Sequence, residues 1–233
     1  MEQRAVLRTR HDGLADLSVP AIASKLSGLG QGPELSDIGI SNALVADADA
    51  AALSATPGRE SWRPTVDKTR PAGVLVALVD RPEGLQVLLT RRTDHLHHHA
   101  GQISFPGGRK EDSDATLADT ALREANEEIG LDSRLVTILG QLPQYVTLTR
   151  FAITPVVGVI VPPFDLRADP FEVADIFEVP LAYLADTSKH ERHFREENGI
   201  RRGFYAIPYN DRFIWGATAG ILVNFAHLLA HHG

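Results

Sequence analysis

The chain contains no cysteine. Disulfide staples, thiolate zinc sites and a cysteine nucleophile are therefore excluded together, and the absence fits a reducing compartment. Long apolar runs are missing too. None approaches the ~20 residues a membrane-spanning helix needs, so no membrane partner is expected. Arg4, Arg8 and Arg10 stand near the start without an apolar stretch behind them, which argues against a secretory signal. Glu2 and Asp12 argue against a transit peptide, and a cytoplasmic protein is the expectation. No internal repeat is visible. Positive charge is in short supply, with 23 Lys and Arg against 30 Asp and Glu, a net charge of −7. An acidic surface repels a phosphate backbone, so no nucleic-acid partner is expected. A small phosphorylated ligand stays open, because a bound metal ion can reverse the local field.

What is present suits an ordinary globular protein. Of 233 residues 43% are apolar, enough to build a core for one domain, or for one domain with an appendage. Residues 1–70 read as an N-terminal extension and 71–233 as the main domain. Within the extension, 21–29 could form a short helix, and 43–55 is rich in Ala and Asp with little to bury. The stretch 56–71, with three prolines and a glycine, reads as a linker. This extension is expected to pack loosely on the main domain, or against a second subunit in a homodimer.

In the main domain, 74–79 and 85–90 read as a hairpin around Asp80-Arg81-Pro82-Glu83-Gly84. A loop at 93–108 follows, then a helix at 115–129 started by Ser113 or Asp114 and stopped by Gly130. Residues 135–142, 152–161 and 176–179 read as strands. Residues 192–196 and 201–207 flank Asn198-Gly199, a hairpin turn signal. A helix at 217–230 closes the chain. Strands and helices mix without regular βαβ alternation, which predicts an α+β fold with a mixed sheet covered by helices.

The 115–129 helix carries the chemistry. At ~100° per residue, Ala118, Ala121, Leu122, Ala125 and Ile129 share one face, which should meet the core. Glu124, Glu127 and Glu128 cluster on a neighbouring face with Arg123 beside them. Carboxylates at these spacings repel by ~0.2–0.5 kcal/mol per close pair. They also lie at the negative end of the helix dipole, where an anion costs a further ~0.3–1 kcal/mol. A solvated acidic face is the bland reading. A cation would turn the repulsion into attraction, and Mg²⁺ takes oxygen ligands of this kind. Glu124 and Glu128, one turn apart, can share it. Glu127 is offset, to bind a further ion or to be held by Arg123. The preceding Phe105-Pro106-Gly107-Gly108 allows close backbone approach and can turn a carbonyl, that of Gly107, toward the metal.

The run Arg123-Glu124-Ala125-Asn126-Glu127-Glu128-Ile129-Gly130-Leu131 resembles the core of the Nudix box, G-x5-E-x7-R-E-U-x-E-E-x-G-U, where U is aliphatic. The box's first glutamate would fall on Ala115 and its glycine on Arg109. This chain has Gly108 and then Asp114, one residue of insertion with Asp for Glu. The segment in front resembles the coenzyme A diphosphatase branch, L-L-T-x-R-[SA]-x3-R-x3-G-x3-F-P-G-G. It matches at Leu88-Leu89-Thr90-Arg91-Arg92, Gly101 and Phe105-Pro106-Gly107-Gly108, and departs at Thr93 and His97. Thr154-Pro155-Val156-Val157-Gly158, the 172–181 segment and Ile214-Trp215-Gly216-Ala217-Thr218-Ala219 are similar to later parts of that branch.

The resemblance implies a Nudix fold, an α/β/α sandwich around a mixed β-sheet. It implies Mg²⁺ or Mn²⁺ as cofactor, water as nucleophile, and coenzyme A or its thioesters as the small-molecule substrate, cut to 3′,5′-ADP and 4′-phosphopantetheine or its acyl form. On that basis Glu124, Glu128, Glu127 and the Gly107 carbonyl are the candidate metal ligands. Glu127, Arg123 and Glu172 are the candidate catalytic residues, Glu172 as the base. Arg91, Arg92 and Arg109, with Lys110 beside them, are the candidate contacts to the 3′-phosphate. His95, His97, His98 and His99 are too closely spaced on one loop to converge on zinc, and are expected to be solvated or to face substrate. Two rivals stand beside this reading: a Nudix hydrolase of ADP-ribose, a dinucleotide or a nucleoside triphosphate, and a non-catalytic Nudix-fold sensor. Sensors usually lose box carboxylates, and this chain keeps all three.

Overall fold

The computed structural model describes residues 16–29, 35–48, 69–94, 101–197 and 199–230. The histidines at 95, 97, 98 and 99, those at 231 and 232, and nearly all of the 56–71 linker lie outside the described residues.

In chain order come α1 (Val19–Ser27), β1 (Leu35–Ser36), α2 (Asp37–Ala48), β2 (Arg70–Arg81), β3 (Gly84–Arg92), β4 (Ile103–Ser104) and β5 (Gly107–Arg109). Then follow α3 (Leu117–Ile129), β6 (Val136–Gln141), β7 (Tyr145–Val146), β8 (Phe151–Ile160) and β9 (Val173–Pro180). The last are α4 (Leu181–Ala185), β10 (Glu191–Glu197), β11 (Ile200–Tyr209), β12 (Arg212–Trp215) and α5 (Ala217–Ala230). Strands β1 to β9 form one mixed sheet, and β10, β11 and β12 a small antiparallel one.

Strand β2 is the axis of the large sheet. It runs parallel to β8 from Arg70↔Phe151 to Val79↔Ile160. Its other edge is shared: Ala77 to Arg81 pair with β3, and Ala72 to Val74 pair with β5. Between them the Leu75 N–H donates to the Pro106 carbonyl at 2.8 Å. The chain thus leaves β3, returns along it as β4 at Thr90 and Arg91, and crosses to β2. This detour sets Gly107 and Gly108 at the split.

The period-two pattern of β2 sorts the core into two layers. Leu75, Ala77 and Val79 face α3, with Leu88, Val156 and Ile160 beside them and Ala121, Ala125 and Ile129 above. Val76 and Leu78 face the other way, with Val87, Leu89 and Val157, toward α1, α4 and α5 through Ile22, Leu184 and Phe225. The α/β/α arrangement around a mixed sheet follows, as expected.

Two expectations are corrected. The α3 cap is Thr116, not Ser113 or Asp114. The Thr116 hydroxyl accepts from the Asp119 N–H at 3.2 Å, and the Asp119 carboxylate accepts from the Thr116 N–H at 2.8 Å, a capping box. Asp114 is committed elsewhere. The second correction concerns the extension, whose described segments are not loosely packed. Ile22, Leu26 and Leu44 are buried, each such side chain contributing about 1.5–3 kcal/mol. The Ser41 hydroxyl accepts from the Gly203 N–H at 3.0 Å, and a Cβ on Gly203 would lie 2.7 Å from the Leu44 Cβ. An Ala- and Asp-rich segment needs few apolar residues to dock when those few sit at i and i+4, as Ile40 and Leu44 do.

Candidate active site

Arg123 is the hub of the acidic end. Its Nε and Nη2 donate to the two carboxylate oxygens of Asp114, each at 3.0 Å. Its Nη1 donates to Glu127 at 2.8 Å, and Nη2 also donates to the Arg109 carbonyl at 3.0 Å and lies 3.1 Å from Glu124. Asp114, almost fully buried, accepts further bonds from the Thr120 hydroxyl and the Glu111 N–H, each at 2.9 Å. The Arg123 guanidinium holds its carboxyl well below the usual carboxylate range. Asp114 is thus a positioning residue for Arg123. The shifted spacing of the sequence still delivers an acid to the arginine.

Glu128 is buried, with 3% of its surface exposed. It accepts from the Gly107 N–H at 3.2 Å and lies 3.5 Å from Arg92. Burial pushes its carboxyl up to about 8, against the lowering influence of Gly107 and Arg92. Burial also raises Glu124, opposed by Arg123. Glycine is required in front of these acids. Gly107 has φ 153°, and a Cβ there would meet the Gly73 carbonyl at 2.5 Å. A Cβ on Gly108 would lie 2.4 Å from the Glu124 carboxylate.

Glu172 joins the group from another element. The α3 carbonyls of Glu128 and Ile129 accept from the N–H groups of Asp169 and Arg167 at 2.8 and 2.9 Å, which satisfies part of a helix terminus and ties the 167–169 segment to α3. The Thr93 hydroxyl donates to the Phe171 carbonyl at 2.8 Å, and the Thr93 N–H donates to the Glu172 carbonyl at 3.0 Å. Glu172 is thereby set 3.8 Å from Arg92, within the field of Glu124 and Glu128.

Five carboxylates (Asp114, Glu124, Glu127, Glu128 and Glu172) therefore gather around two guanidinium groups, Arg92 and Arg123. The excess of oxygen donors and the space cleared by Gly107 and Gly108 suit a hard divalent cation. Among the described residues no three acidic or histidine side chains converge at ligating distance. Glu127 is drawn to Arg123 and Glu172 to Arg92.

A cavity of about 650 Å³ opens beside Gly107 and Gly108 on the sheet face away from α3. Gly73 abuts α3, so its neighbours Ala72 and Val74 face the cavity, joined by Phe151 and Ile153 of β8. Among the described residues five arginines line it (Arg70, Arg92, Arg109, Arg195 and Arg202) against one carboxylate, Asp37. Of the three arginines anticipated from sequence, Arg92 and Arg109 reach this cavity. Arg91 is exposed and lies outside its lining. Arg70, Arg195, Arg202 and Asp37 were not anticipated. The Asn198-Gly199 signal in the sequence could have pointed to one pair of them, because β10 and β11 pair Arg195 with Arg202.

The NUDIX domain model matches residues 69–197. The chain belongs to the Nudix family. A protein from Yersinia enterocolitica named Uncharacterized Nudix hydrolase NudL is 40% identical over 155 residues, which is 66% of this chain and 79% of that one. The protein of the same name from Yersinia pestis is 39% identical over 157 residues, 67% of this chain and 78% of that one. Among solved structures, a Nudix hydrolase from M. smegmatis, RenU, aligns with TM-score 0.42 and 24% identity over 50% of this chain and 74% of that one. The protein is thus a Nudix hydrolase acting on the pyrophosphate bond of a diphosphate substrate. Among the described residues no helix is long and apolar enough to cross a membrane.

Proposed function

We propose that this Nudix hydrolase cleaves the diphosphate of coenzyme A or its thioesters, with Mg²⁺ or Mn²⁺, to 3′,5′-ADP and 4′-phosphopantetheine or its acyl form. Residues 71–233 are the catalytic domain, α1 and α2 of the preceding segment are built onto it, and the cytoplasm is its site of action. The observation that carries the reading is the position of residues 88–94 and 101–108. The segment that resembles the coenzyme A branch also supplies Arg92, Gly107 and Gly108, the junction between the carboxylates and an arginine-lined cavity.

Glu124, Glu128, Glu127 and the Gly107 carbonyl are the proposed holders of the cation. When bound there, it would neutralise the diphosphate and lower the pKa of a water. Arg123 fixes Glu127 and Glu124 in orientation through charge-assisted hydrogen bonds, and Asp114 fixes Arg123. Glu172 is the proposed base: its carboxylate takes a proton from the attacking water. The water oxygen bonds to phosphorus, the bridging P–O bond breaks, and its electron pair leaves with the second phosphate. Arg92 and Arg109 stand where the cavity meets the acids, placed to hold the diphosphate oxygens.

The test is a substrate panel. The full chain is incubated with MnCl₂ or MgCl₂ and coenzyme A, acetyl coenzyme A, ADP-ribose, a diadenosine polyphosphate or ATP, and the products are identified by mass. The expected result is 3′,5′-ADP with phosphopantetheine at the highest kcat/KM. Preferred cleavage of ADP-ribose or a dinucleotide would overturn the coenzyme A reading and leave the Nudix chemistry in place.

A further inference from the structure

The NUDIX match begins at residue 69, yet the cavity beside Gly107 and Gly108 is lined in part by Asp37, Ile40 and Ser41 of α2. Strand β1 brings α2 there by lying beside β7, with Leu35 paired to Tyr145. Three anchors then fix the helix. The Asp37 carboxylate accepts from the Tyr145 hydroxyl at 2.6 Å and from the Leu148 N–H at 2.8 Å, which makes one corner of the cavity. Ser41 accepts from Gly203, and Leu44 packs where a Cβ on Gly203 would otherwise stand. Tyr145 is itself held from behind, because a Cβ on Gly220 of α5 would lie 2.6 Å from its hydroxyl. Burying an acid is costly, and burial raises the Asp37 carboxyl; what the contact secures is the place of α2 at the cavity. Asp37, Ser41 and Leu44 follow one another by a helical turn on one stripe. Ile40 borders that stripe and is not one of the anchors. It is half-buried, touches the edge of the core and lines the cavity. The cavity floor reaches this helix along one row of paired residues: Arg109 with Ala72, Ala72 with Ile153, and Ile153 with Tyr145. The row spans three strand spacings, about 14 Å.

We propose that α2, which lies outside the residues matched to the Nudix family, is a specificity element of the active site, and that its Ile40 grips an extended, uncharged arm carried by the diphosphate. This deepens the function above and rests on it. Beyond Arg109 the floor row is uncharged, and Ala72 and Ile153 present apolar surface to the cavity. A span of about 14 Å is that of an extended chain of about four residues, and suits a linear arm better than one compact ring. Laid over Ala72 and Ile153, such an arm ends against Ile40, and the contact removes apolar surface of both from water. In coenzyme A the pantetheine arm is a chain of this kind. Arg92 and Arg109 keep the diphosphate at one end of the floor, and Ile40 reads the arm at the other.

The test compares 4′-phosphopantetheine with AMP as ligands of the full chain, by calorimetry with MgCl₂ present. Each carries one phosphate monoester, and only the first carries the linear arm. Ile40→Ala is expected to weaken phosphopantetheine about 10-fold, the scale of two buried methylene groups, and Ile40→Val about 3-fold. AMP should stay within about 2-fold in both variants, a selectivity that a general loosening of the fold would not produce. If Ile40→Ala does not fold, Ile40→Val carries the comparison. Asn42→Ala, on the exposed side of α2, should alter neither ligand. No binding of phosphopantetheine to the wild type, equal weakening of both ligands, or unchanged affinity for phosphopantetheine in the Ile40 variants would overturn the assignment. A wild type that cleaves ADP-ribose in preference to coenzyme A, yet binds phosphopantetheine through Ile40 in this way, would support the role of α2 and overturn the coenzyme A reading alone.

Discussion

The two ends of the cavity are built on opposite electrostatic plans. At one end, among the described residues, five carboxylates gather around the guanidinium groups of Arg92 and Arg123. Along the cavity, among the described residues, arginines outnumber carboxylates five to one. Arg92 belongs to both groups and stands at the junction. The acidic end is local in sequence: one helix and one short loop supply nearly all of it. The arginines of the basic end come from five strands, β2, β3, β5, β10 and β11. In the proposed reading the difference divides reaction class from selectivity. A diphosphate needs a cation to react, and its attachments need cations of the protein's own to be recognised. An acidic protein can serve both only by keeping the two charges apart.

The comparison can be broken at either end. The largest effect is expected at Glu128. Glu128→Gln should lower kcat roughly 10³-fold, the several kcal/mol that a bound metal contributes, with nucleotide binding at the arginine wall retained; steady-state kinetics with calorimetry checks both. At the other end, Leu44 is 2% exposed under β11. Leu44→Ala should cost about 2–5 kcal/mol of stability, read by urea titration, and should raise KM more than it lowers kcat. A shift within error would mean that α2 is not part of the folded unit.

Arg123→Lys keeps the charge but loses the planar fork that reaches four acceptors. A fall in kcat of about 10- to 100-fold is expected, the scale of one charged hydrogen bond. The smallest effect concerns pH. Asp114 has a depressed pKa in the folded protein, so its stabilising contribution is present above the ordinary carboxylate pKa and is lost as pH falls through the folded value. The melting temperature of Asp114→Asn should therefore lie furthest below wild type at neutral pH, and the gap should close in strong acid. An equal gap at pH 7 and pH 3 would show that Asp114 acts through packing alone.

Much of the acidic end was legible in the sequence, because i, i+3 and i+4 spacing places Glu124, Glu127 and Glu128 by geometry alone. The helix cap was misread because Asp114 looks like a cap but is taken by Arg123, nine residues on. Arg91 and Arg92 were treated alike. Adjacent strand residues point to opposite faces, so only one of them could meet Glu128. The pairing of Arg195 with Arg202 was implicit in the Asn-Gly turn. Its relation to the cavity was not, because that depends on α2 docking through Ile40, Ser41 and Leu44, an Ala-rich segment with little pattern of its own. The corner at Asp37 depends on contacts 108 and 111 residues apart in sequence, which no local pattern encodes.

The proposed role of the α3 glutamates is to hold a cation, and a metal titration tests it most directly. Mn²⁺ is added to the chelator-treated full chain while melting temperature and turnover are followed together. The expected result is that both rise over the same concentration range in the wild type, and that Glu124→Gln and Glu128→Gln lose both responses. Undiminished turnover in excess chelator, or a melting temperature equally raised in the variants, would contradict it.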